Sequence, residues 1–164
     1  MARARYTALR RILLLFMSLM VCMPSSIGEA LGQQDMFFER SKASIVTYKG
    51  KFDFSVEMAL RREQHAQGLQ HRKYLPPTDG MLFNFQEDRI VNMWMKNTPI
   101  SLDMIFIDAK GTIVSIVENT EPFSLLNISS GRIARAVLEV SGGTAQRIGA
   151  KAGDRVLHPT FGLS

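Results

Sequence analysis

The sequence predicts an α+β fold: a mostly antiparallel, strongly curved sheet, or a small barrel, with two short helices. Three observations support this prediction. Short apolar segments that alternate with polar residues recur from residue 43 onward. The connections between them are mostly shorter than the dozen residues that a parallel crossover needs. Helix-forming composition is confined to residues 61–70 and 144–147. A chain of 164 residues also allows one domain with a real core, and not two.

The first 30 residues have the three-part order of a secretory signal peptide. A basic stretch ends at Arg11, an apolar run extends from Ile12 to Met23, and small residues at Gly28 and Ala30 fit cleavage after Ala30. An apolar run of this length is too short to cross a hydrocarbon core of about 30 Å, which needs about 20 helical residues. We therefore expect an exported protein, periplasmic or secreted, and the sequence leaves the export route open.

Cleavage near Ala30 would change both the charge and the chemistry of the chain. It removes the single cysteine, Cys22, and leaves 16 basic and 14 acidic residues. A balance this even disfavours a nucleic-acid-binding surface. Without a cysteine, the mature chain has neither a disulfide nor a thiol nucleophile. We expect a monomer that meets the membrane only through an uncleaved signal segment.

The remaining chain divides into an arm, one domain and a tail. Apart from Met36-Phe37-Phe38, residues 31–42 are polar and unpatterned, which is typical of a linker or a mobile arm. A single α+β domain is predicted over residues 43–158, and residues 159–164 are predicted to form a C-terminal tail.

The domain is predicted to begin with a hairpin and a surface helix. Strands over Ser44 to Tyr48 and Phe52 to Met58 flank the turn Lys49-Gly50-Lys51, and the second strand alternates apolar and polar residues. The helix from Arg61 to Gln70 has few apolar positions, which indicates a surface location. Gly68 lets the chain turn near the end of this helix.

The other strands follow a Pro- and Gly-rich turn at residues 76–80. They are predicted over Met81 to Phe85, Ile90 to Met95, Leu102 to Asp108, Thr112 to Asn119, Ala134 to Val140 and Asp154 to Leu157. A short helix from Thr144 to Arg147 is predicted between the last two strands.

Alternation along residues 90–96 separates core positions from a candidate site. The predicted core face consists of Val91, Met93 and Met95. The opposite face places the indole of Trp94 between Asn92 and Lys96. Such a mixed surface is typical of a ligand site, or of a tryptophan that covers a sheet edge, and both interpretations remain open.

Asp103 lies in an apolar strand and shares a face with two isoleucines. A buried carboxylate costs several kcal/mol unless it is paired or accepts hydrogen bonds, so Asp103 predicts a partner. The nearest candidates along the chain are Lys96 and the backbone N–H groups of Asn97 and Thr98. Asp103 is therefore either a structural residue that holds this loop or a member of a site.

The segment from Trp94 to Asp103 resembles the signature of the domain of unknown function 192 (DUF192) family. Further motifs of the family follow the same order: Gly68-Leu69-Gln70-His71-Arg72, Gly80-Met81-Leu82-Phe83, Phe106 to Gly111, Val137-Leu138-Glu139, Gly142-Gly143 and Gly153 to Val156. The resemblance covers about Phe52 to Leu157. One departure is Gln70, where the family usually has Met. The resemblance implies a small α+β domain and no established reaction.

Polar residues shared with the family pattern supply the site candidates. They are Arg72, Asp79, Lys96, Asn97, Asp103 and Glu139. The planar fork of Arg72 could hold a carboxylate or phosphate of a ligand, or it could pair with Asp79 or Glu139. Lys96 could act as a base, or its ammonium could simply extend to water. We take Arg72, Trp94, Lys96, Asn97 and Asp103 as ligand-binding candidates. Asp79 and Glu139 are structural or site candidates, and catalytic residues stay unassigned.

No metal or cofactor is predicted. His65 and His71 are six residues apart, whereas two metal ligands on one helix face need a spacing of three or four. Methionines could bind monovalent copper, but Met93 and Met95 lie on the predicted core face. The phosphate-binding and nucleophile-elbow motifs are absent. Gly142-Gly143 could present backbone amides to an anion, or simply connect a strand to a helix.

Two functional hypotheses follow from these residues. The favoured one is an exported, non-enzymatic binding or accessory domain, with a polar pocket around the segment from Trp94 to Asp103. Its partner would be a small polar ligand or an envelope protein. The alternative is a hydrolase or lyase that acts on an envelope component, with Asp103 or Lys96 as acid or base. That enzyme needs the two side chains within hydrogen-bond reach and facing a cleft. The absence of a convincing nucleophile favours the binding domain.

Overall fold

A computed structural model describes residues 36–163 of the chain. The predicted signal peptide, its cleavage site, Cys22 and the first five residues of the predicted linker lie outside this part. Within it, the helices are all too short or too polar to span a bilayer.

Residues 36–163 fold into a curled, seven-stranded mixed sheet, a half-barrel, with two short helices. The elements are β1 (Glu39–Thr47), β2 (Gly50–Ala59), α1 (Arg62–Gln67), β3 (Asp79–Met93), β4 (Leu102–Ile107), β5 (Ile113–Val117), β6 (Ile128–Ser141), α2 (Thr144–Ile148) and β7 (Arg155–Leu157), and a 3-10 turn follows at Pro159–Phe161. The strand order in the sheet is β5-β4-β6-β3-β2-β1-β7. The predicted α+β class and curved sheet agree with this architecture.

The first hairpin forms where it was predicted, but it begins earlier. β1 and β2 pair antiparallel, and in β2 the buried residues Phe54, Val56 and Met58 alternate with more exposed ones. β1 starts at Glu39, which lies opposite Met58. Residues 39–42 therefore belong to the sheet and not to a linker. They show no apolar alternation because this end of β1 is mostly exposed, and its pairing with β2 holds it in place.

The sheet is mixed because β2 and β3 run parallel, with Ser55 opposite Asp79 and Ala59 opposite Phe83. The other strand pairs in the described chain are antiparallel. Residues 60–78 connect β2 to β3 and include α1. This connection is long enough for a parallel crossover. The prediction of α1 as a surface helix did not include its role as the crossover.

Several strands and helices differ in length from their predictions. The strands predicted at 81–85 and 90–95 form the single long strand β3, which pairs with β6 through two register shifts. Gln86, at one of these irregularities, has a positive φ of 62°. β6 is also longer than predicted. α1 is shorter, because Gly68 ends it with a φ of 47°.

The core consists of two clusters on the two faces of the sheet. Along β4, Ile105 and Ile107 belong to the first cluster, which α2 and β7 help to close. Met104 and Phe106 alternate with them and belong to the second cluster, which the segment after α1 covers. The predicted C-terminal tail contributes to the first cluster, because Phe161 in the 3-10 turn is buried.

The two edges of the curled sheet meet at one place. Thr112, just before β5, forms a bridge with Arg155 at the start of β7. Backbone hydrogen bonds extend this contact, from the Ile113 N–H to the Asp154 oxygen (2.9 Å) and from the Val156 N–H to the Gly111 oxygen (2.7 Å). The curvature of the sheet therefore brings its two edge strands, β5 and β7, together.

Candidate functional site

A pocket opens beside the second core cluster, where the chain leaves β3. Its volume is about 280 Å³, including the part open to solvent. α1 and the turn after it form one wall, and residues 93–98 form another. We call it the Glu139 pocket; its main lining residues are Gln67, Leu69, Phe83, Trp94, Lys96, Thr98 and Glu139.

Glu139 supplies a carboxyl group that has no partner in the protein. It lies in β6, opposite Met81 of β3 and Met104 of β4, and is 4% exposed. Among residues 36–163, no group donates a hydrogen bond to this carboxyl, and no fully enclosed polar side-chain atom lacks a partner, so the Glu139 oxygens reach the solvent of the pocket. Burial raises the pKa of Glu139 to about 8, because the apolar surroundings disfavour the charged form. The group is therefore mostly a neutral acid at pH 7.

Trp94 forms the aromatic rim of the pocket. It follows the last residue of β3, and 57% of its surface is exposed. A shallow groove continues from the pocket past Trp94 toward Asn92 and Phe85. The prediction that the indole lies between an amide and an ammonium, outside the core, agrees with this position.

His65 lines both the pocket and the groove, but its ring is held in place. Nε2 donates a hydrogen bond to the Ala59 oxygen at 3.0 Å, since a carbonyl oxygen can only accept. The ring also lies against Phe85, with 4.7 Å between centroids. His65 therefore serves as a wall of the pocket, and its Nε2 is occupied by the fold.

Two loops lock together to form the outer wall. The His71 N–H donates to the Asn97 oxygen at 2.7 Å, and Asn97 Nδ2 donates to Gln70 Oε1 at 3.0 Å. His71 and Asn97 both have a positive φ, 63° and 54°, a conformation that Asn and His adopt more readily than most residues. Asn97 thus shapes the wall through its bonds to the neighbouring loop. Gln70, the departure from the usual family pattern, takes part in this contact.

Lys96 lines the pocket and is exposed. In the described chain it forms no ion pair, with Glu139 or with any other carboxylate. The expectation that Lys96 lies near Asp103 is wrong. The carboxyl group that shares a pocket with Lys96 is that of Glu139.

Asp103 is fully buried and bound by backbone amides on the other face of the sheet. Its Oδ1 accepts hydrogen bonds from the N–H groups of Asn119 (2.8 Å) and Gly143 (3.1 Å), and its Oδ2 from that of Ala145 (2.7 Å). The predicted partners at residues 96–98 are therefore wrong. Asp103 lies on the same face of the sheet as Ile105 and α2. Glu139 lies opposite Met104, and Met104 points to the other face. The amides near Gly143 do meet an anion, and it is the chain's own Asp103.

Arg72 and Asp79 form ion pairs away from the pocket. Both terminal nitrogens of Arg72 contact the carboxylate of Glu57, at 2.9 and 2.5 Å. Asp79 pairs with Arg40. The pairing of Arg72 with Asp79 or Glu139, one of the predicted alternatives, is therefore wrong, because the crossover through α1 places the turn that holds Arg72 beside β2.

The structure thus brings together Trp94, Lys96 and Glu139, and places Arg72, Asn97, Asp79 and Asp103 in structural contacts. The contribution of α1 and Phe83 to the pocket was not predicted. A signal for Glu139 was present, because it is a carboxyl in an apolar strand, as Asp103 is. Within residues 36–163, no three His, Cys, Asp or Glu side chains group together as metal ligands.

Comparison with known proteins shows the following similarities. The model of the DUF192 family, described as an uncharacterized ACR, matches residues 44–158. No curated protein matches significantly. A crystal structure of a putative transcription regulator from Sinorhizobium meliloti 1021 is 40% identical, with a TM-score of 0.74, over 77% of this chain and 98% of that one. A protein of unknown function from Novosphingobium aromaticivorans DSM 12444 is 30% identical, with a TM-score of 0.72, over 74% of this chain and 86% of that one.

Proposed function

The chain belongs to the DUF192 family, and from that premise we propose that it is a small binding domain whose ligand occupies the Glu139 pocket. One observation supports this most strongly: Glu139 is a nearly buried carboxyl without a protein partner, and it meets solvent only in a pocket with an exposed tryptophan at its rim. Buried polar groups in native proteins are nearly always hydrogen-bonded. A ligand that donates to Glu139 would replace the solvent that reaches this carboxyl.

The alternative, a hydrolase or lyase, has some support from Glu139 alone. A carboxyl group with a raised pKa can act as a general acid. Such chemistry also needs a nucleophile or a second acid–base group that faces the same substrate. Asp103 is engaged by three amides and His65 Nε2 by a carbonyl. Lys96 is then the remaining candidate for the second catalytic group. A binding role needs no such group, so the residues of the pocket favour binding over catalysis.

We also propose that the domain acts outside the cytoplasm, as an exported binding or accessory module. The support for this is the basic, apolar and small-residue order of residues 1–30. A role in transcription, suggested for the structure from Sinorhizobium meliloti, is less compatible with this chain. Its nearly balanced charge after residue 30 offers little of the positive surface that DNA binding uses.

The test is a thermal-shift screen of the purified protein against sugars, nucleotides, small acids, amines and amino acids. A ligand at about 100 times its dissociation constant should raise stability by roughly 2.7 kcal/mol. We expect a hit that the Trp94→Ala and Glu139→Gln variants lose, and that an Arg72→Ala variant keeps. A hit that both pocket variants retain would place the ligand elsewhere, and an empty screen would argue against a small-molecule function.

A further inference from the structure

The Glu139 pocket presents two groups of opposite chemistry that do not satisfy each other. The carboxyl of Glu139 lies at its floor, buried, and the ammonium of Lys96 belongs to an exposed residue of its wall. The two form no ion pair. Both line the same pocket, and both remain available to a molecule that enters it.

The rest of the lining is suited to a short carbon chain. Leu69 and Phe83 belong to the second core cluster, and Trp94 covers the rim with its indole. The volume of about 280 Å³ includes open solvent, and the enclosed part is far smaller than the range of about 300–1,000 Å³ that is typical of drug-sized ligands. The pocket therefore admits only the end of a small molecule, whose remaining part stays exposed to solvent.

We propose that the pocket binds a small zwitterion of the amino-acid type, whose ammonium group donates to Glu139 and whose carboxylate lies near Lys96. This inference rests on the proposed binding function and names its ligand class. A simple amine would bring a second positive charge next to Lys96, and a simple carboxylate would pair with Lys96 but bring no cation to Glu139. A zwitterion satisfies both groups at once.

The neutral state of Glu139 in the empty pocket adds a proton to the binding reaction. When the ligand ammonium reaches the carboxyl, the charged form is stabilised, and the proton of Glu139 passes to the solvent. The other titratable side chains of the pocket are Lys96, and His65, whose Nε2 proton is held by Ala59. Binding at pH 7 is therefore accompanied by the release of close to one proton.

The experiment is calorimetric titration of the full protein with alanine, propylamine and propionate as matched probes. Alanine has both charges, propylamine only the ammonium and propionate only the carboxylate. We expect alanine to bind at least tenfold more tightly than either, with a binding heat that depends on the ionisation heat of the buffer. The dipeptide Ala-Ala, whose charges lie farther apart, distinguishes a free amino acid from a peptide as the source of the zwitterion.

Two variants separate the roles of the charged groups. Glu139→Gln should weaken the binding of alanine and of propylamine at least tenfold, and the binding heat should no longer depend on the buffer. Lys96→Met should weaken the binding of alanine, and the affinity for propylamine should stay unchanged or increase. The exposed control Lys73→Met should change neither affinity. Propionate binding as tight as that of alanine, or alanine affinity unaffected by Glu139→Gln, would overturn the zwitterion.

The failure of this inference can be told from the failure of the proposed function. If none of the four probes binds, but the broader screen yields a ligand that Trp94→Ala and Glu139→Gln abolish, the zwitterion is wrong and the binding domain stands. If the screen also yields nothing, both are wrong.

Discussion

Asp103 Oδ2 accepts a 2.7 Å hydrogen bond from the backbone N–H of Ala145, which lies 42 residues later in the chain. This bond joins the beginning of β4 to the first turn of α2, on the first core face. The same carboxylate also holds the amides of Asn119 and Gly143, so one side chain fixes two loops.

Replacing Asp103 with Asn should destabilise the domain strongly. The amide NH₂ of Asn would face a backbone donor, and the charge that strengthens the three bonds would be lost. We expect a loss of about 3 kcal/mol in the free energy of unfolding, measured with urea. The exposed control Asp88→Asn, whose partner is Arg135, should change it by less than about 1 kcal/mol. A well-folded Asp103→Asn variant that loses ligand binding would instead place Asp103 in the site.

Replacing Gly80 with Ala should be costly for a different reason. A Cβ at this position of β3 would lie 2.6 Å from the backbone oxygen of Glu139 and 3.2 Å from Val140 Cγ1. The strands would have to separate, at a cost of several kcal/mol. Gly131→Ala is the matched control: its φ of 62° adds about 1–2 kcal/mol of strain, but nothing lies within 4 Å. Equal melting temperatures for the two variants would contradict the close approach at Gly80.

Replacing Arg72 with Ala should lower stability modestly and leave ligand affinity unchanged. The Arg72–Glu57 pair is bidentate but partly exposed, so water and salt weaken it. We expect a loss of about 1 kcal/mol, which shifts the melting temperature by a few degrees. Titration of the variant with the pocket ligand checks the second part, and a tenfold loss of affinity would return Arg72 to the site.

The stability of the domain should depend on pH through Glu139. Its pKa is raised from 4.5 to about 8 on folding, so the folded state binds more protons than the unfolded state between these values. The stabilisation that this group contributes is therefore fully present below about pH 4.5 and is lost as the pH rises to 8. The free energy of unfolding should fall by at most about 1.4 kcal/mol per pH unit in this range. Urea unfolding at pH 5, 6.5 and 8 measures it.

Two comparisons make the assignment to Glu139 specific. Burial lowers the pKa of His158, so its contribution has the opposite sign and fades as the pH falls below 6.5. The difference between the natural protein and Glu139→Gln cancels the effect of His158. The free energy of unfolding of the variant should exceed that of the natural protein by an amount that grows steadily from pH 5 to pH 8. A constant difference would show that Glu139 titrates normally.

Export should remove the N-terminal segment. If the protein is produced with its own first 30 residues in a Gram-negative host, we expect a periplasmic product that begins at Leu31 and lacks Cys22. Intact-mass measurement of the fractionated product checks both points. A full-length chain in the cytoplasmic fraction would contradict the export proposal.

The fold was largely predictable because alternation along buried strands depends only on local sequence. It placed Met104 and Ile105 on opposite faces and kept Trp94 out of the core. The parallel pairing of β2 with β3 was not predictable in this way. It depends on where α1 docks, which is a tertiary property that period-two patterns do not contain.

The site was predicted in part, for a related reason. Trp94 and Lys96 are neighbours in sequence, so a local pattern brought them together. Glu139 joins them only because β6 lies between β3 and β4, and Asp103 leaves them because β4 turns it toward α2. Pairing across distant strands decided which of the two buried carboxyl groups faces the pocket.

The contact between Thr112 and Arg155 bears on self-association. Strands at the edge of a sheet present unpaired amides and carbonyls that can recruit another chain into a growing fibre. Here the edge strands, β5 and β7, are short, and they partly satisfy each other. β7 is also the last strand of the chain and covers the open side of β1. Protection against aggregation is thus completed only when the C-terminal end of the domain has joined the sheet.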